Sequence, residues 1–349
     1  MDQEQIRQVR HRLAIEKGGV EILTLAAMVA VFAVAGPLVR RMDPLSAWAF
    51  LPAGEWGRLL TTVQLLWVLA AVCGAAMVFA RPEGVLTTVL VGLAGMSVAS
   101  PPMRTLLWRH QDHLSGFYLI LVGELALLGV AMVVAASIVV MVGRLTRPLA
   151  GRWAWRSPLA VAGIDQSDAI NDTARIRDLP LYKLSPDLAI VVWAVLSLTG
   201  RAPAGGAAIA GAKDPSGIKR RAACAGVTLV VAVGLLIVLM QTAERYQVLF
   251  AVGASFFLAS LLAHQIFPTA CGPVMWAMPL AIGVAVYVLA AYTAGGVGAT
   301  SMDWLETPRL AQALPIDWIG AGGGGAVAGH WVSTRMHETK TLEHYMQSL

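Results

Sequence analysis

The sequence predicts an all-α fold: a polytopic transmembrane helical bundle of about eight spans, with one cytoplasmic loop insertion. Three observations carry this expectation. Charged residues are 13% of the 349 and hydrophobic residues 57%, whereas soluble domains carry about 25% charged residues. The apolar residues fall in runs of about twenty, the length that crosses about 30 Å of hydrocarbon. Basic residues gather beside these runs in a pattern that assigns them a side.

The chain divides into five parts. Residues 1–19 form a cytoplasmic N-terminus in which Ile6, Val9 and Leu13 keep helical spacing and Arg7, Arg10 and Arg12 lie mostly off that stripe. This reads as an amphipathic helix on the membrane surface or a solvated helical start. It lacks the short apolar core and small-residue cleavage site of a secretory signal. Residues 20–142 form a four-helix transmembrane half, with apolar runs at Val20–Val39, Leu59–Ala80, Val85–Ser100 and Phe117–Val142. Residues 143–221 are a cytoplasmic insertion with a short apolar helix near 188–200. Residues 222–334 form the second transmembrane half, with runs at Ala222–Met240, Tyr246–Ile266 and Val274–Tyr292 and a glycine-rich last helix. Residues 335–349 are a cytoplasmic tail.

Charge decides two ambiguous segments. The stretch Leu188–Gly200 is too short for an ordinary span. If it crossed, the basic cluster Arg144, Arg147, Arg152 and Arg156 would be parted from Lys213, Lys219, Arg220 and Arg221. Holding both clusters inside obeys the positive-inside rule. Counting back through four spans then puts the N-terminus inside, although Arg40 and Arg41 dissent.

The second segment is "DWIGAGGGGAVAGHWVS", Asp317–Ser333. A flexible linker is usually mixed with serine and has polar flanks. This one carries Ile, Val and Trp, with Trp318 and Trp331 bracketing it as interfacial aromatics do. Asp317 stands where an N-cap would stand. Gly320, Gly324 and Ala328 make one row of small residues, and Gly325 and Gly329 a second. Such rows let helix backbones approach closely. The reading is a buried eighth helix, which also returns Arg335 and Lys340 to the inside.

Few residues suggest chemistry. Glu124 lies inside the fourth span, roughly 10 Å below its start. An intramembrane acid is a functional candidate, and the alternative is a carboxyl that serves packing. His110, Asp112 and His113 have the spacing of metal ligands on one turn, or form a solvated interfacial turn. His264 and His330 fall near the same end of their spans. They are candidates for holding haem, or are ordinary helix-end histidines. Cys73, Cys224 and Cys271 show neither CxxC nor CxxH spacing, so no disulfide framework or zinc knuckle is expected. Asp165, Asp168 and Asp172 lack the glycine and terminal glutamate of an EF-hand loop. "GAKDPSGIK" fails the phosphate-loop pattern.

No motif names a catalytic class, which leans away from an enzyme. The expectation is a non-catalytic subunit or scaffold of a membrane assembly. One alternative is a small-molecule or proton-linked transporter or channel using Glu124. Another is a membrane-embedded redox or haem protein using His264 and His330. The sequence leaves the cofactor unknown. The expected partners are the lipid bilayer and either other membrane proteins or further copies of the chain, not nucleic acid. The Ala, Val, Gly and Arg bias suggests a GC-rich bacterial genome, and with the spans the expected location is a bacterial inner membrane.

Overall fold

A computed structural model describes residues 3–40, 49–78, 80–100, 102–150, 215–267, 272–295 and 307–347. The segment 188–200, the three aspartates of 165–172 and Cys271 lie outside the described residues. So do Arg41, Arg152, Arg156 and Lys213.

The described residues form helices and no strands: α1 (Gln3–Arg40), α2 (Trp56–Gly74), α3 (Pro82–Ala99), α4 (Met103–Arg109), α5 (Leu114–Ala150), α6 (Pro215–Leu239), α7 (Arg245–Ile266) and α8 (Gly272–Gly295). The last helix opens with one turn, Pro315–Asp317, widens into a π-helical stretch, Trp318–Gly323, and continues as α9 (Gly324–Gln347). Among the described residues, seven helical segments are long and apolar enough to cross a membrane: His11–Val34, Trp56–Gly74, Pro82–Ala99, Gln111–Thr146, Arg221–Leu239, Arg245–Ile266 and Met275–Ala294. The chain is an all-α polytopic helical bundle.

Local chemistry sets the boundaries. Arg81 is extended and Pro82 follows as the first helical residue of α3, where a missing N–H costs nothing. Ser100 is extended at the other end, as Pro101 requires of the residue before it. α5 has 37 residues, about 55 Å of helix, so it projects well beyond the hydrocarbon. α1 is continuous through residue 19, with no break between the polar start and the apolar run.

Packing follows the small residues. α3 is the most deeply buried of the seven segments. α1 lies along it, and a Cβ on Gly95 would come within 2.7 Å of the Met28 carbonyl oxygen. α5 packs on α2 and α8, and α6 packs on α7. The last helix fills the centre, held by α3, α7 and α8. The N-terminal part of α1 and the C-terminal part of α9 meet at one end of the bundle, where Arg335 Nη2 donates to the Leu13 carbonyl oxygen at 2.7 Å. This is called the terminal end below, and the opposite one the distal end.

The glycine run is therefore helical and buried. Its two rows face different neighbours. A Cβ on Gly320 would lie 2.9 Å from Ala94 N, and one on Gly324 2.9 Å from Val91 Cγ2, both on α3. A Cβ on Gly325 would fall on the Gly253 carbonyl oxygen and one on Gly329 on the Phe257 carbonyl oxygen, both on α7. Backbone approach this close has the character of Cα–H···O contact. Ala328, the third member of the first row, is half-buried. Two details differ from the sequence reading. Trp318 is not an interfacial anchor, because it is fully buried with its ring against Gly283, where a Cβ would lie 2.9 Å away. Asp317 is not the N-cap but the third residue of the turn. Its carboxylate reaches back to Leu314 N at 2.7 Å, one half of a capping box.

Candidate functional sites at the two ends of the bundle

The distal end holds two buried acids. Glu124, on α5, is fully buried. Its Oε2 accepts the backbone N–H groups of Phe50 at 2.8 Å and Leu51 at 2.9 Å. Those amides belong to the segment just before α2, whose N–H groups have no helical partner. The carboxyl supplies one, and it pins this connection to the bundle. Oε1 is buried without a hydrogen-bond partner among the described residues.

The second acid is Asp317. Arg245, the first residue of α7, grips it with both terminal nitrogens: Nη1 donates to Oδ2 at 2.6 Å and Nη2 donates to Oδ1. Arg245 Nε donates to the Ser97 carbonyl oxygen at the end of α3, at 2.7 Å. Asp317 is fully buried and Arg245 nearly so. This fork-to-fork pairing satisfies both charges, as a buried pair must. Beside it, Tyr287 of α8 donates to the Ala313 carbonyl oxygen at 2.5 Å. Sequence reasoning missed the pair. Arg245 reads as a residue flanking an apolar run, and Asp317 as a cap 72 positions away. The available signal was that both stand at the same end of adjacent spans.

The proposed ligand turn lies close by. His110 caps α4 and stacks on Phe117, with ring centroids 4.9 Å apart. Burial, and then the Arg109 charge, hold its pKa below the ordinary value. Asp112 and His113 are exposed. No group of three or more metal-ligating side chains with suitable geometry exists among the described residues.

The terminal end holds two further clusters. Arg81, at the start of α3, joins Glu16 of α1 and Glu338 of α9. Its backbone N–H donates to Glu16 Oε1 at 3.3 Å, its Nε lies 3.4 Å from the same oxygen, and its Nη2 bonds Glu338 Oε2. All three residues are buried. Burial raises the Glu338 pKa, and the neighbouring Arg81 charge opposes that rise. Arg335 lies over the Trp331 ring, 5.2 Å from its centroid, a cation–π contact.

Beside this network the structure brings His264 of α7 and His330 of α9 together, with ring centroids 4.5 Å apart and planes at 36°. His337 stands edge-on to His264 at 5.5 Å. Ser333 links the helices: its Oγ lies 2.8 Å from His264 Nδ1 and accepts Gln265 Nε2 at 2.9 Å. The two histidines suggested by sequence thus meet, but not as haem ligands. Two imidazoles on one haem iron stand on opposite faces of the ring system, each about 2 Å from the metal. These ring centroids are 4.5 Å apart with tilted planes, which leaves no gap for a macrocycle between them. His337, which completes the cluster, was not anticipated. It lies one helical turn beyond Ser333 and two beyond His330, a spacing visible in the sequence once His330 is known to face α7.

Comparison with protein-family models, with curated proteins and with solved structures gives no match to this chain.

Proposed function

We propose that the chain is a non-catalytic subunit or scaffold of a membrane assembly in a bacterial inner membrane. One observation carries the reading. The acids buried among the described residues are Glu16, Glu124, Asp317 and Glu338, and each ties separate parts of the chain together. Glu124 holds the connection before α2, Asp317 holds α7, and Glu16 and Glu338 share Arg81. A transporter uses such groups on a passage that opens and closes. Here they fix the bundle instead. The close glycine seams of the last helix support the same reading, because backbones in contact leave no aqueous gap.

The last helix is taken as an eighth crossing, with both ends of the chain in the cytoplasm. Support comes from the helix ends at the terminal end, which carry Arg7, Arg10, Arg12, Lys17, Arg144, Arg147, Lys219, Arg220, Arg221, Arg335 and Lys340. That excess is what the positive-inside rule asks of the cytoplasmic face. The partner is another membrane protein or a second copy of the chain.

Two measurements on the full chain test this. In vesicles loaded with a pH-sensitive dye and driven by a potassium diffusion potential, the chain should pass no protons above empty vesicles. In mild detergent or lipid discs, its native mass should exceed that of the monomer. A proton flux that a folded Glu124→Gln variant abolishes would overturn the scaffold reading in favour of transport. A strictly monomeric chain would remove the assembly.

A further inference from the structure

The histidine cluster does something that the scaffold reading does not use. Its protonation pattern follows from its hydrogen bonds. Thr334 Oγ1 donates to the His330 carbonyl oxygen at 2.9 Å. That hydroxyl has one hydrogen, so toward His330 Nδ1, 3.3 Å away, it accepts. The tautomer with its proton on Nδ1 satisfies this contact and leaves Nε2 presenting a lone pair. That nitrogen is buried and has no hydrogen-bond partner among the described residues. On the other side, Gln265 donates to Ser333 Oγ, which leaves the Ser333 hydroxyl hydrogen free to meet His264 Nδ1.

We infer that His264, His330 and His337 form a proton-sensitive latch that holds the cytoplasm-facing part of α9 against α7. The closed arrangement requires His330 Nε2 bare. A proton arriving there would be buried, 4.5 Å in ring-centroid distance from a second imidazole and near a third. An isolated buried charge is strongly disfavoured, so protonation and closure exclude each other.

Among the described residues, the charged and titratable groups that the surrounding helices bring to this end are mostly cationic or already paired. α1 brings Glu16 and α3 brings Arg81 and Glu83. α6 brings Arg221 and Cys224. α9 itself carries Arg335, Glu338 and Lys340. Glu16 and Glu338 are engaged by Arg81, and the remaining groups other than Glu83 and Cys224 are cationic. Glu83 sits on α3 and shares the field of Arg81. The part of α9 beyond Ser333 is also the part least held by glycine contacts, since the last glycine of the helix is Gly329. Opening the latch loosens that segment, which Arg335 and Glu338 still tie to α1 and α3, without parting the seam.

The size of the effect follows from a histidine that binds a proton only when the latch is open. With an ordinary pKa of about 6.5, its open state gains roughly tenfold in population between pH 7.5 and 5.5. Hydrogen exchange of the full chain in lipid discs, corrected for the intrinsic pH dependence of exchange, reads this directly. Amides of 334–347 should exchange about tenfold faster at pH 5.5 than at pH 7.5, while amides of α3 stay protected. In a His264→Gln/His330→Gln variant that difference should vanish. Corrected exchange in the wild type that does not respond to pH would overturn the latch without recourse to any variant. A response that survives unchanged in the folded double variant would overturn it equally.

Discussion

Replacing Gly329 by alanine adds one methyl group, and the structure says where it goes. The new Cβ would land on the Phe257 carbonyl oxygen, with Phe257 C and Leu261 N each 3.1 Å away. All three are backbone atoms of α7, so no side chain can swing aside. Carbon and carbonyl oxygen settle at about 3.3–3.6 Å in such seams, so α7 and α9 must part by about 1 Å. A gap of that size forfeits a quarter to a half of each dispersion contact, each worth ~0.1–0.2 kcal/mol. Over on the order of 40 atom pairs, about what one buried leucine makes, the loss is about 2 kcal/mol. Overpacked cores lose a similar amount, about 1–3 kcal/mol. The internal control is Gly226→Ala on α6, where nothing lies within 4 Å of the new methyl and better helix propensity is the only change. The assay is thermal unfolding in detergent, read by the loss of the monodisperse chromatographic peak. Gly329→Ala and Gly325→Ala should both lower the midpoint by several degrees, and Gly324→Ala by less. Gly226→Ala should leave it unchanged or raised. A Gly329→Ala protein as stable as Gly226→Ala would refute the seam.

Two further expectations follow from the buried polar groups and a third from the topology. Arg245→Ala strands the Asp317 carboxylate in a dry site and should cost about 3–5 kcal/mol, whereas Arg245→Met with Asp317→Leu should recover much of the loss, as read by detergent unfolding of the three variants. Glu124→Gln keeps an acceptor for the Phe50 and Leu51 amides and should stay within about 1 kcal/mol of wild type, while Glu124→Ala leaves the buried Phe50 amide and the half-buried Leu51 amide without this acceptor and should cost about 1–3 kcal/mol. For sidedness, single cysteines at His11 and Lys340, both exposed, should react with an impermeant thiol reagent from the same face of sealed membranes, and reporter fusions at Ser167 and Asp214 should share that face; labelling from opposite faces would mean an odd number of crossings.

Much of the bundle is legible in the chain because lipid leaves few alternatives. Every backbone amide in hydrocarbon must be paired internally, so a long apolar run becomes a helix. The glycine seams are legible for a related reason, since rows of small residues have little use except close approach. What the sequence hides is the pairing of the few polar groups. Asp317 and Arg245 each look like flanks of apolar runs, and only the folding of the last helix between α3 and α7 joins them. Glu124 shows its burial but not its partners, because those are backbone amides and carry no residue signature. His264 and His330 can be placed at a similar depth by counting. The 4.5 Å approach of their rings depends on the rotation of each helix about its axis, which a count of spans does not give.

The central position of the last helix also sets the order in which the molecule can be made. Its glycine-rich stretch is a poor candidate for entering lipid alone, because glycine adds little apolar surface and weakens a helix. The walls that receive it, α3, α7 and α8, are all synthesised earlier. The nascent chain must therefore reach the bilayer with a vacancy along its axis, lined by the backbone of Gly253 and Phe257 on one side and of Val91 and Ala94 on the other. Until residues 315–347 arrive, Arg245 and Arg81 have no partners in Asp317 and Glu338. A nascent chain stalled before that point would present Arg245 without its carboxylate partner and Arg81 with Glu16 alone, and arrival of the last helix would complete both pairings at once.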